Sequence, residues 1–304
     1  GGRMRWDEGM VPDQTGKSVV ITGSNTGIGF HMARAMASKG ASVVMACRSA
    51  EKAERARDAI VSELPDSEIS VMELDLADLS SIEGFSKELI ADLERLDVLI
   101  NNAGVMIPPK SRTKDGFELQ FGTNHLGHFA LTGHLLPLLE STEGSRVVTV
   151  SSIVHNSGRI DFDDLNGDRK RYSKWGFYAQ SKIANLLFSL ELARRLEANG
   201  SGVRSLASHP GYTATDLQRH SLLWRFLNLI VAMPARRGAE STLYAATEDD
   251  ALDYPYWGPT GIIEMMGWTG RARINSRARD EAVASRLWEV SESMTGVSYL
   301  TPPS

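Results

Sequence analysis

The fold is decided by Thr22-Gly23-Ser24-Asn25-Thr26-Gly27-Ile28-Gly29, which directly follows the apolar run Val19-Val20-Ile21 and opens a helical pattern through His31 and Met32. Glycines let the backbone approach a ligand closely, and a helix N-terminus offers unpaired N–H groups and the positive end of a dipole. Strand, glycine turn and helix in this order therefore predict the phosphate site of a dinucleotide fold. The spacing is Gly-x-x-x-Gly-x-Gly rather than the usual Gly-x-Gly-x-x-Gly, and a glycine cluster alone would indicate only a tight turn.

The rest of the chain alternates short apolar runs with amphipathic stretches. The predicted strands are 17–22, 42–47, 69–74, 97–100, 146–151, 203–208 and 260–265. The predicted helices cover about 27–39, 50–63, 78–93, 117–140, 176–198 and 235–247. Continuously apolar strands such as Val98-Leu99-Ile100 indicate a sheet covered on both faces. The pattern predicts the α/β class: a single-domain Rossmann fold with a doubly wound parallel sheet of about seven strands and helices on both faces.

Size and composition favour one domain over 1–304, because 42% of the residues are apolar and no proline- or serine-rich linker divides them. We assign 1–15 to an N-terminal extension, 212–234 to a substrate lid region and 268–304 to a C-terminal extension. The net charge of −5 argues against a nucleic-acid partner. The single cysteine, Cys47, suits a reducing compartment, and we expect it to be a buried, inert thiol.

Neither the interior nor the start of the chain reads as a membrane segment. No run reaches the roughly 18–20 apolar residues that a membrane span requires. The first residues, Gly1 to Glu8, lack the apolar centre of a signal peptide. We therefore expect no membrane span and a soluble, cytoplasmic protein.

Tyr178 and Lys182, in Tyr-Ala-Gln-Ser-Lys, are the strongest candidates for chemistry. They are four residues apart in a predicted helix, so both side chains can face one site. A free tyrosine has a pKa near 10, and a nearby cation can lower the pKa by roughly one to three units. The phenol would then exchange a proton near neutral pH. Taken alone, such a pair would usually be a solvated helix face.

Three further motifs follow predicted strands or lie between them. They are Asn101-Asn102-Ala103-Gly104, Asn124 in Thr-Asn-His-Leu-Gly-His, and Ser151-Ser152. With all the motifs in this order, the chain from Lys17 to about Thr215 resembles the short-chain dehydrogenase/reductase family. Its Ser-Ser-Ile-Val-His stretch, the long insert before Tyr178 and the Glu-Leu-Ala-Arg-Arg-Leu helix end look most like the retinol-dehydrogenase-like branch, which includes WW-domain oxidoreductases and protochlorophyllide reductases.

The resemblance implies a catalytic set of Asn124, Ser152, Tyr178 and Lys182. Tyr178 would be the acid/base, and Lys182 would lower its pKa and bind the nicotinamide ribose. Ser152, the second serine of its pair, would hold the substrate oxygen. Asn124 would anchor a water that links Lys182 to solvent.

The expected cofactor is NADP(H). A site for NAD usually places a carboxylate about 20 residues past the glycines, but Cys47-Arg48-Ser49 stands there and no carboxylate appears before Glu51. A guanidinium can bind a phosphate in a bidentate manner, so Arg48 would read the 2′-phosphate, assisted by Lys52. Alternatively, Arg48 merely starts a solvated helix.

The other cofactor contacts are implied by the resemblance. They are Gly23, Ser24, Asn25, Thr26, Gly27, Ile28 and Gly29 in the glycine turn; Asp75 and Leu76 at the adenine; Asn102, Ala103 and Gly104 at the ribose; Tyr178 and Lys182; and Gly211 and Thr213 at the nicotinamide. Asn101 would instead stabilise the sheet.

The predicted reaction is hydride transfer between NADP(H) and a small-molecule carbonyl or alcohol, as in a carbonyl reductase or retinol dehydrogenase. The apolar stretch 222–233 is a lid, a core helix or a subunit contact, and as a lid it indicates a lipophilic substrate. A C=C reductase and a non-catalytic NADP-binding regulator are the alternatives.

The polar insert 161–174 is a surface loop or the rim of the substrate site. Homodimer and homotetramer both stay open.

The histidines are expected to be structural. His125 and His128 lie three apart in a helical pattern, but no acidic or cysteine partner has ligand spacing, so no metal site is predicted. His155 follows Ser152 closely enough to touch substrate, although packing is the preferred interpretation. His209 should end its strand.

Overall fold

The computed structural model describes residues 5–211, 235–261 and 264–302. Its strands form one eight-stranded sheet in the order β3-β2-β1-β4-β5-β6-β7-β8. Their bounds are Ser18–Thr22 (β1), Ser42–Cys47 (β2), Glu68–Glu73 (β3), Val98–Asn101 (β4), Arg146–Val150 (β5), Arg204–Ser208 (β6), Tyr256–Pro259 (β7) and Thr269–Arg271 (β8). Neighbouring strands from β3 to β7 are parallel, and only β8 pairs antiparallel, with β7. The order of the parallel strands is that of a Rossmann fold, so the predicted fold class is confirmed.

Helices connect the strands and cover both faces of the sheet. Their bounds are Gly27–Ser38 (α1), Ala50–Glu63 (α2), Leu79–Asp92 (α3), Leu119–Phe121 (α4), Gly127–Glu140 (α5), Lys174–Ala198 (α6), Ala235–Thr247 (α7) and Glu281–Thr295 (α8). Local sequence signals fix several of their starts: Ser49 accepts from Lys52 N–H, and Asp78 accepts from Ser80 N–H. Within the described part of the chain, no helix is both long enough and apolar enough to cross a bilayer.

The apolar side chains form a layer on each side of the sheet. One layer joins β1 and β2 to α1, α2 and α7, and the other joins β4 and β5 to α3, α5 and α6. The central strands are therefore buried on both faces, as their continuous apolar runs predicted.

Two predicted elements were wrong in their limits. The last predicted strand, 260–265, lies too far along: β7 ends at Pro259, and the chain then turns, with Thr260 and Gly261 N–H donating to the Trp268 and Met266 carbonyls. This turn allows β8 to pair back on β7, a hairpin that the helix-and-strand alternation did not indicate.

The predicted helix 117–140 is interrupted by a π-helical turn at Gly122–Leu126, which separates α4 from α5. Nothing in its periodicity signals the interruption. Helix α8 was also missed, because it lies in the part that we assigned to an extension. It packs on α6, and Trp288 stacks on Phe188.

Candidate active site

A cleft of about 1080 Å³ lies at the carboxyl ends of the parallel strands. Ligands of open α/β sheets bind at this edge. Nearly all the predicted cofactor contacts line the cleft: Gly23, Asn25, Thr26, Gly27, Ile28, Gly29, Arg48, Asp75, Leu76, Asn102, Ala103, Gly104, Tyr178, Lys182 and Gly211. The structure thus brings together side chains from six separate segments of the sequence.

The glycine turn places the start of α1 at the cleft. Thr26, the N-cap residue, makes no side-chain capping bond, so the first N–H groups of α1 have no capping partner there. A Cβ at Gly29 would lie 2.4 Å from the Gly23 carbonyl oxygen, so only glycine lets the helix pack this closely on the turn. Ser24 is fully buried beneath the turn, where its hydroxyl donates to the Ile21 carbonyl. Among the residues of the turn, Ser24 alone is absent from the cleft lining, which disfavours a direct ligand contact.

Asn102 joins the turn to β4. Its amide Nδ2 donates to the Thr22 and Gly23 carbonyls at 2.9 and 3.3 Å. These bonds fix the spacing between the two strand ends that border the cleft. Asn101 is fully buried and donates to the Thr132 hydroxyl, which agrees with its expected role in the sheet.

Arg48 and Asp75 lie at the ends of β2 and β3, on the nucleotide side of the cleft. Arg48 is exposed and forms no ion pair with the part of the chain that the structure describes. Asp75 Oδ1 accepts from the Ala77 N–H at 2.9 Å, which holds the carboxylate at the turn after β3. Cys47 is buried, as expected, with its sulfur 3.5 Å from the Ser24 hydroxyl.

Tyr178, Ser152 and Lys182 meet at the other end of the same cleft. Tyr178 and Lys182 are buried, and the Lys182 Nζ lies 5.7 Å from the centre of the Tyr178 ring. Ser152 is hydrogen-bonded to Tyr178 and caps a short 3₁₀ turn by accepting from Val154 N–H. Ser151 also borders the cleft, but its hydroxyl donates to the Lys182 carbonyl at 2.7 Å and so holds β5 to α6.

The pKa of Tyr178 differs from the sequence-based expectation. Burial raises the pKa of its phenol, and the hydrogen bond from Ser152 only partly opposes the rise. The lowering of this pKa that we expected from Lys182 is not found for these side chains by themselves, because burial of the phenol is the dominant influence. Burial also lowers the pKa of Lys182 to about 8, which leaves the ammonium protonated at neutral pH but able to titrate just above it.

Asn124 is fully buried behind the cleft, in the π-helical turn. Its side chain accepts from Val105 N–H at 2.8 Å and donates to the Val105 carbonyl and the Ser181 hydroxyl at 3.0 Å. The carboxamide thus links α6 to the segment after Gly104. A Cβ at Gly104 would lie 3.3 Å from Asn124 Oδ1 and 3.5 Å from Lys182 Nζ, so these two groups also converge on Gly104.

A hydrogen-bond chain behind the cleft was missed by the sequence analysis. The His128 Nδ1 lies 2.9 Å from the Asn124 carbonyl, which can only accept, so Nδ1 carries the hydrogen. The Nε2 then accepts from the Thr22 hydroxyl at 2.9 Å. That hydroxyl in turn accepts from the Asn102 and Ala103 N–H groups. Burial lowers the pKa of His128 to about 4, so the ring stays neutral and the chain is fixed.

Three more of the seven histidines have positions that fit a structural role. His125 bonds to the Ser291 hydroxyl, and burial lowers its pKa to about 3. His155 is buried, donates to the Ser152 carbonyl and does not line the cleft, so the preferred interpretation as a packing residue agrees with its position. His209 follows β6, as expected. No cluster able to hold a metal occurs among residues 5–211, 235–261 and 264–302.

The rim of the cleft is apolar and was also missed. Its side chains are Met106, Ile107, Leu119, Val154, Trp175 and Met265. No sequence pattern unites them, because they come from five separate segments of the chain: two loops, one 3₁₀ turn and the starts of two helices. No residue of the polar insert 161–174 lines the cleft, so the insert is a surface loop beside this rim. It docks on 110–120, where Lys110 donates to the Gly167 carbonyl and Tyr172 donates to the Glu118 carboxylate, and it leads into α6 and Trp175. Two sequence-based assignments, Thr213 and the stretch 222–233, lie outside the described residues, as does the whole of 212–234.

Comparison with known proteins gives consistent matches over almost the whole chain. A family profile described as short chain dehydrogenase matches residues 17–225. Human retinol dehydrogenase 12 is 44% identical over 290 residues, which cover 93% of this chain and 88% of that protein. Human retinol dehydrogenase 13 is 42% identical over 292 residues, covering 93% of this chain and 85% of that protein.

Solved structures agree with the fold. An uncharacterised protein from Mycobacterium paratuberculosis has a TM-score of 0.84 at 44% identity, covering 98% of this chain and 100% of its own. The Pseudomonas aeruginosa RhlG/NADP active-site complex has a TM-score of 0.64 at 20% identity, covering 80% of this chain and 94% of its own, and shows a likeness of fold alone.

Proposed function

Because the chain belongs to the short-chain dehydrogenase/reductase family, we propose that it is an NADP(H)-dependent oxidoreductase acting on the carbonyl or alcohol group of a lipophilic small molecule. The observation that carries the proposal is the meeting of Ser152, Tyr178 and Lys182 in a cleft that is continuous with the glycine turn. The family binds a nicotinamide cofactor, and the uncapped start of α1 and the size of the cleft suit a dinucleotide.

The chain's own residues would move the proton. The nicotinamide supplies or accepts the hydride. Because burial raises the pKa of Tyr178, the phenol is neutral at physiological pH and can donate its proton to a carbonyl oxygen. The Lys182 ammonium would stabilise the phenolate that is left, and the Ser152 hydroxyl would hold the reacting oxygen.

Asn124 would take a positioning role in this scheme. Both polar ends of its carboxamide are engaged by Val105 and Ser181, so the side chain is committed to holding the wall of the cleft. A water relay from Lys182 through Asn124 would have to use the main-chain carbonyl of Asn124, which already accepts from the His128 Nδ1.

The preference for NADP(H) follows from charge. Arg48 is exposed at the end of β2 and borders the nucleotide side of the cleft, without an ion-pair partner among the described residues. A guanidinium in this position can bind a 2′-phosphate, whereas a carboxylate there would repel one.

A lipophilic substrate is supported by the apolar rim around Trp175 and Ile107. The relatives named retinol dehydrogenases support it as well, because retinol is an apolar alcohol. A C=C reductase would use the same proton donor and differs only in its product.

The test measures NADPH oxidation with a panel of aldehydes, ketones and enones for the wild type and Tyr178→Phe. Loss of the acid/base should lower kcat/KM by roughly 10²–10⁴, while NADPH binding is retained. The matched control is Tyr254→Phe, whose hydroxyl donates to the Ala272 carbonyl away from the cleft. Equal rates for wild type and Tyr178→Phe would contradict the assigned role. Tight NADPH binding with no turnover of any panel member would favour the regulator, and saturated ketone products from enones would favour the C=C reductase.

A further inference from the structure

Ile107 has an unusual backbone for a residue at a cleft. Its φ is +55°, in the left-handed region that favours glycine. Isoleucine is β-branched and Ile107 also precedes Pro108, and both features disfavour this conformation. Of the three non-glycine residues with positive φ in the described part of the chain, only Ile107 lines the cleft. Strained residues persist only where surrounding structure holds them, and they concentrate at functional sites.

Gln120 supplies that hold. It is fully buried, and its Oε1 accepts from the Ile107 N–H at 2.9 Å. Its Nε2 donates to the Lys174 carbonyl at 2.9 Å, at the start of the helix that carries Tyr178. The carboxamide therefore joins Ile107 directly to the element that carries the proposed acid/base.

The helical segment that follows Gln120 also holds Val105, two positions before Ile107. Asn124 stands four positions after Gln120 and binds both the N–H and the carbonyl of Val105. Two buried carboxamides thus clamp the backbone on either side of Met106. The side chains of Met106 and Ile107 are consequently presented to the cleft by a wall with little freedom to retreat.

We infer that Ile107 is a specificity-determining residue, which limits the bulk of the apolar group that a carbonyl or alcohol substrate carries next to its reacting carbon, and that Gln120 is the positioning residue that holds it there. The inference rests on the proposed function, because it concerns the substrate side of that site. Glycine or asparagine would adopt this backbone without strain, so the branched side chain itself is the feature to be explained.

The experiment compares methyl ketones that bear a linear, a branched or a cyclohexyl group, with NADPH as cofactor. Ile107→Ala should raise the ratio of kcat/KM for the cyclohexyl to the linear ketone by about tenfold or more, since a few methylenes change discrimination by roughly 10–200-fold. Ile107→Val should shift the ratio less. Gln120→Leu should shift it in the same direction as Ile107→Ala, because the backbone at 107 is released. Ile90→Ala, at an exposed position on α3, is the control and should leave the ratio unchanged.

A ratio within twofold of the wild type in Ile107→Ala, with unchanged NADPH affinity and thermal stability, would overturn the inference. If the wild type reduces neither these ketones nor any aldehyde or enone of the panel above, the proposed function fails but the inference is still decided. The NADP⁺ complexes of the same variants are then titrated calorimetrically with unreactive carboxamides that bear the same three groups. Tighter binding of the cyclohexyl amide by Ile107→Ala than by the wild type supports the inference, and equal binding overturns it.

Discussion

The floor and the rim of the cleft are held by different interactions. The floor consists of Asn102 and Lys182, which line the cleft, and of Thr22, Asn124 and His128 directly behind them. All but the half-buried Asn102 are buried, and hydrogen bonds between strand ends and helices join Thr22, Asn102, Asn124 and His128. Because the other groups are buried, water cannot replace a broken bond, and a polar group is then left unsatisfied.

The outer side of the rim, where the insert 161–174 docks on 110–118, is held largely at the surface. Arg112 and Asp168 form an ion pair between two half-exposed side chains, and the Lys110 ammonium donates to the Gly167 carbonyl at 2.6 Å. Exposed pairs contribute little stability. The difference teaches that the chemistry rests on a fixed floor, whereas the outer side of the rim, away from the clamped backbone at 105–107, can be altered at small cost.

The largest effect should come from breaking the floor with His128→Phe. The change removes the side-chain donor to the Asn124 main-chain carbonyl and the acceptor of the Thr22 hydroxyl hydrogen, while that hydroxyl keeps its bonds from the Asn102 and Ala103 N–H groups. Since each buried polar group left unpaired costs about 1–3 kcal/mol, the free energy of unfolding should fall by roughly 2–4 kcal/mol. Urea denaturation measures the free energy of unfolding. The control is His134→Phe, which makes the same change at a half-buried position on α5. Equal stabilities for the two variants would mean that the hydrogen-bond chain does not hold the floor.

Cofactor preference should change next most strongly. Arg48→Asp replaces the proposed phosphate ligand by a repelling charge. Charge-assisted hydrogen bonds are worth about 1.5–3 kcal/mol, so the NADPH/NADH ratio of kcat/KM should fall by roughly 10–100-fold. Arg55→Asp on α2, the helix that follows Arg48, controls for the change of charge; Arg55 pairs with Glu51. An unchanged ratio in Arg48→Asp would remove the basis for NADP(H) preference.

The pH profile tests the buried ammonium of the floor. The pKa of Lys182 is lowered to about 8, so its charge is present below that pH and is lost above it. Carbonyl reduction should therefore lose activity above about pH 8, with kcat/KM approaching a tenfold fall per pH unit. Lys182→Arg keeps its charge at these pH values, so its alkaline limb should disappear even though its rate is lower. A limb that persists in Lys182→Arg would assign the titration to another group.

The smallest effect on stability and activity should come from breaking a surface ion pair on the outer side of the rim. Asp168→Asn removes the ion pair with Arg112, in which both side chains are more than a third exposed. The loss in unfolding free energy should stay below about 1 kcal/mol, and kcat/KM on a linear ketone should change less than twofold. Thermal denaturation and steady-state rates measure both. A tenfold loss of activity would show that the rim is as rigidly required as the floor.

Sequence patterns predicted the residues that line the cleft better than the hydrogen-bond chain behind it, because the lining residues belong to local motifs. A glycine turn after β1, an arginine at the end of β2 and a tyrosine four residues before a lysine are each recognisable within a few positions. Parallel strands then bring those positions to one edge of the sheet. The limits of the elements were less accessible where the signal is not periodic, as in the π-helical turn at Gly122–Leu126 and the β7–β8 hairpin.

Sequence alone therefore determined the fold class and the family and predicted which side chains would perform the chemistry, because each of these depends on short-range spacing. Only the tertiary structure decided the protonation of Tyr178, since its pKa depends on how deeply the phenol is buried. The same holds for Ile107 and Gln120, which are thirteen positions apart in the chain and are joined by one hydrogen bond. Burial and long-range contacts are properties of the packed chain, so no local pattern of residues encodes them.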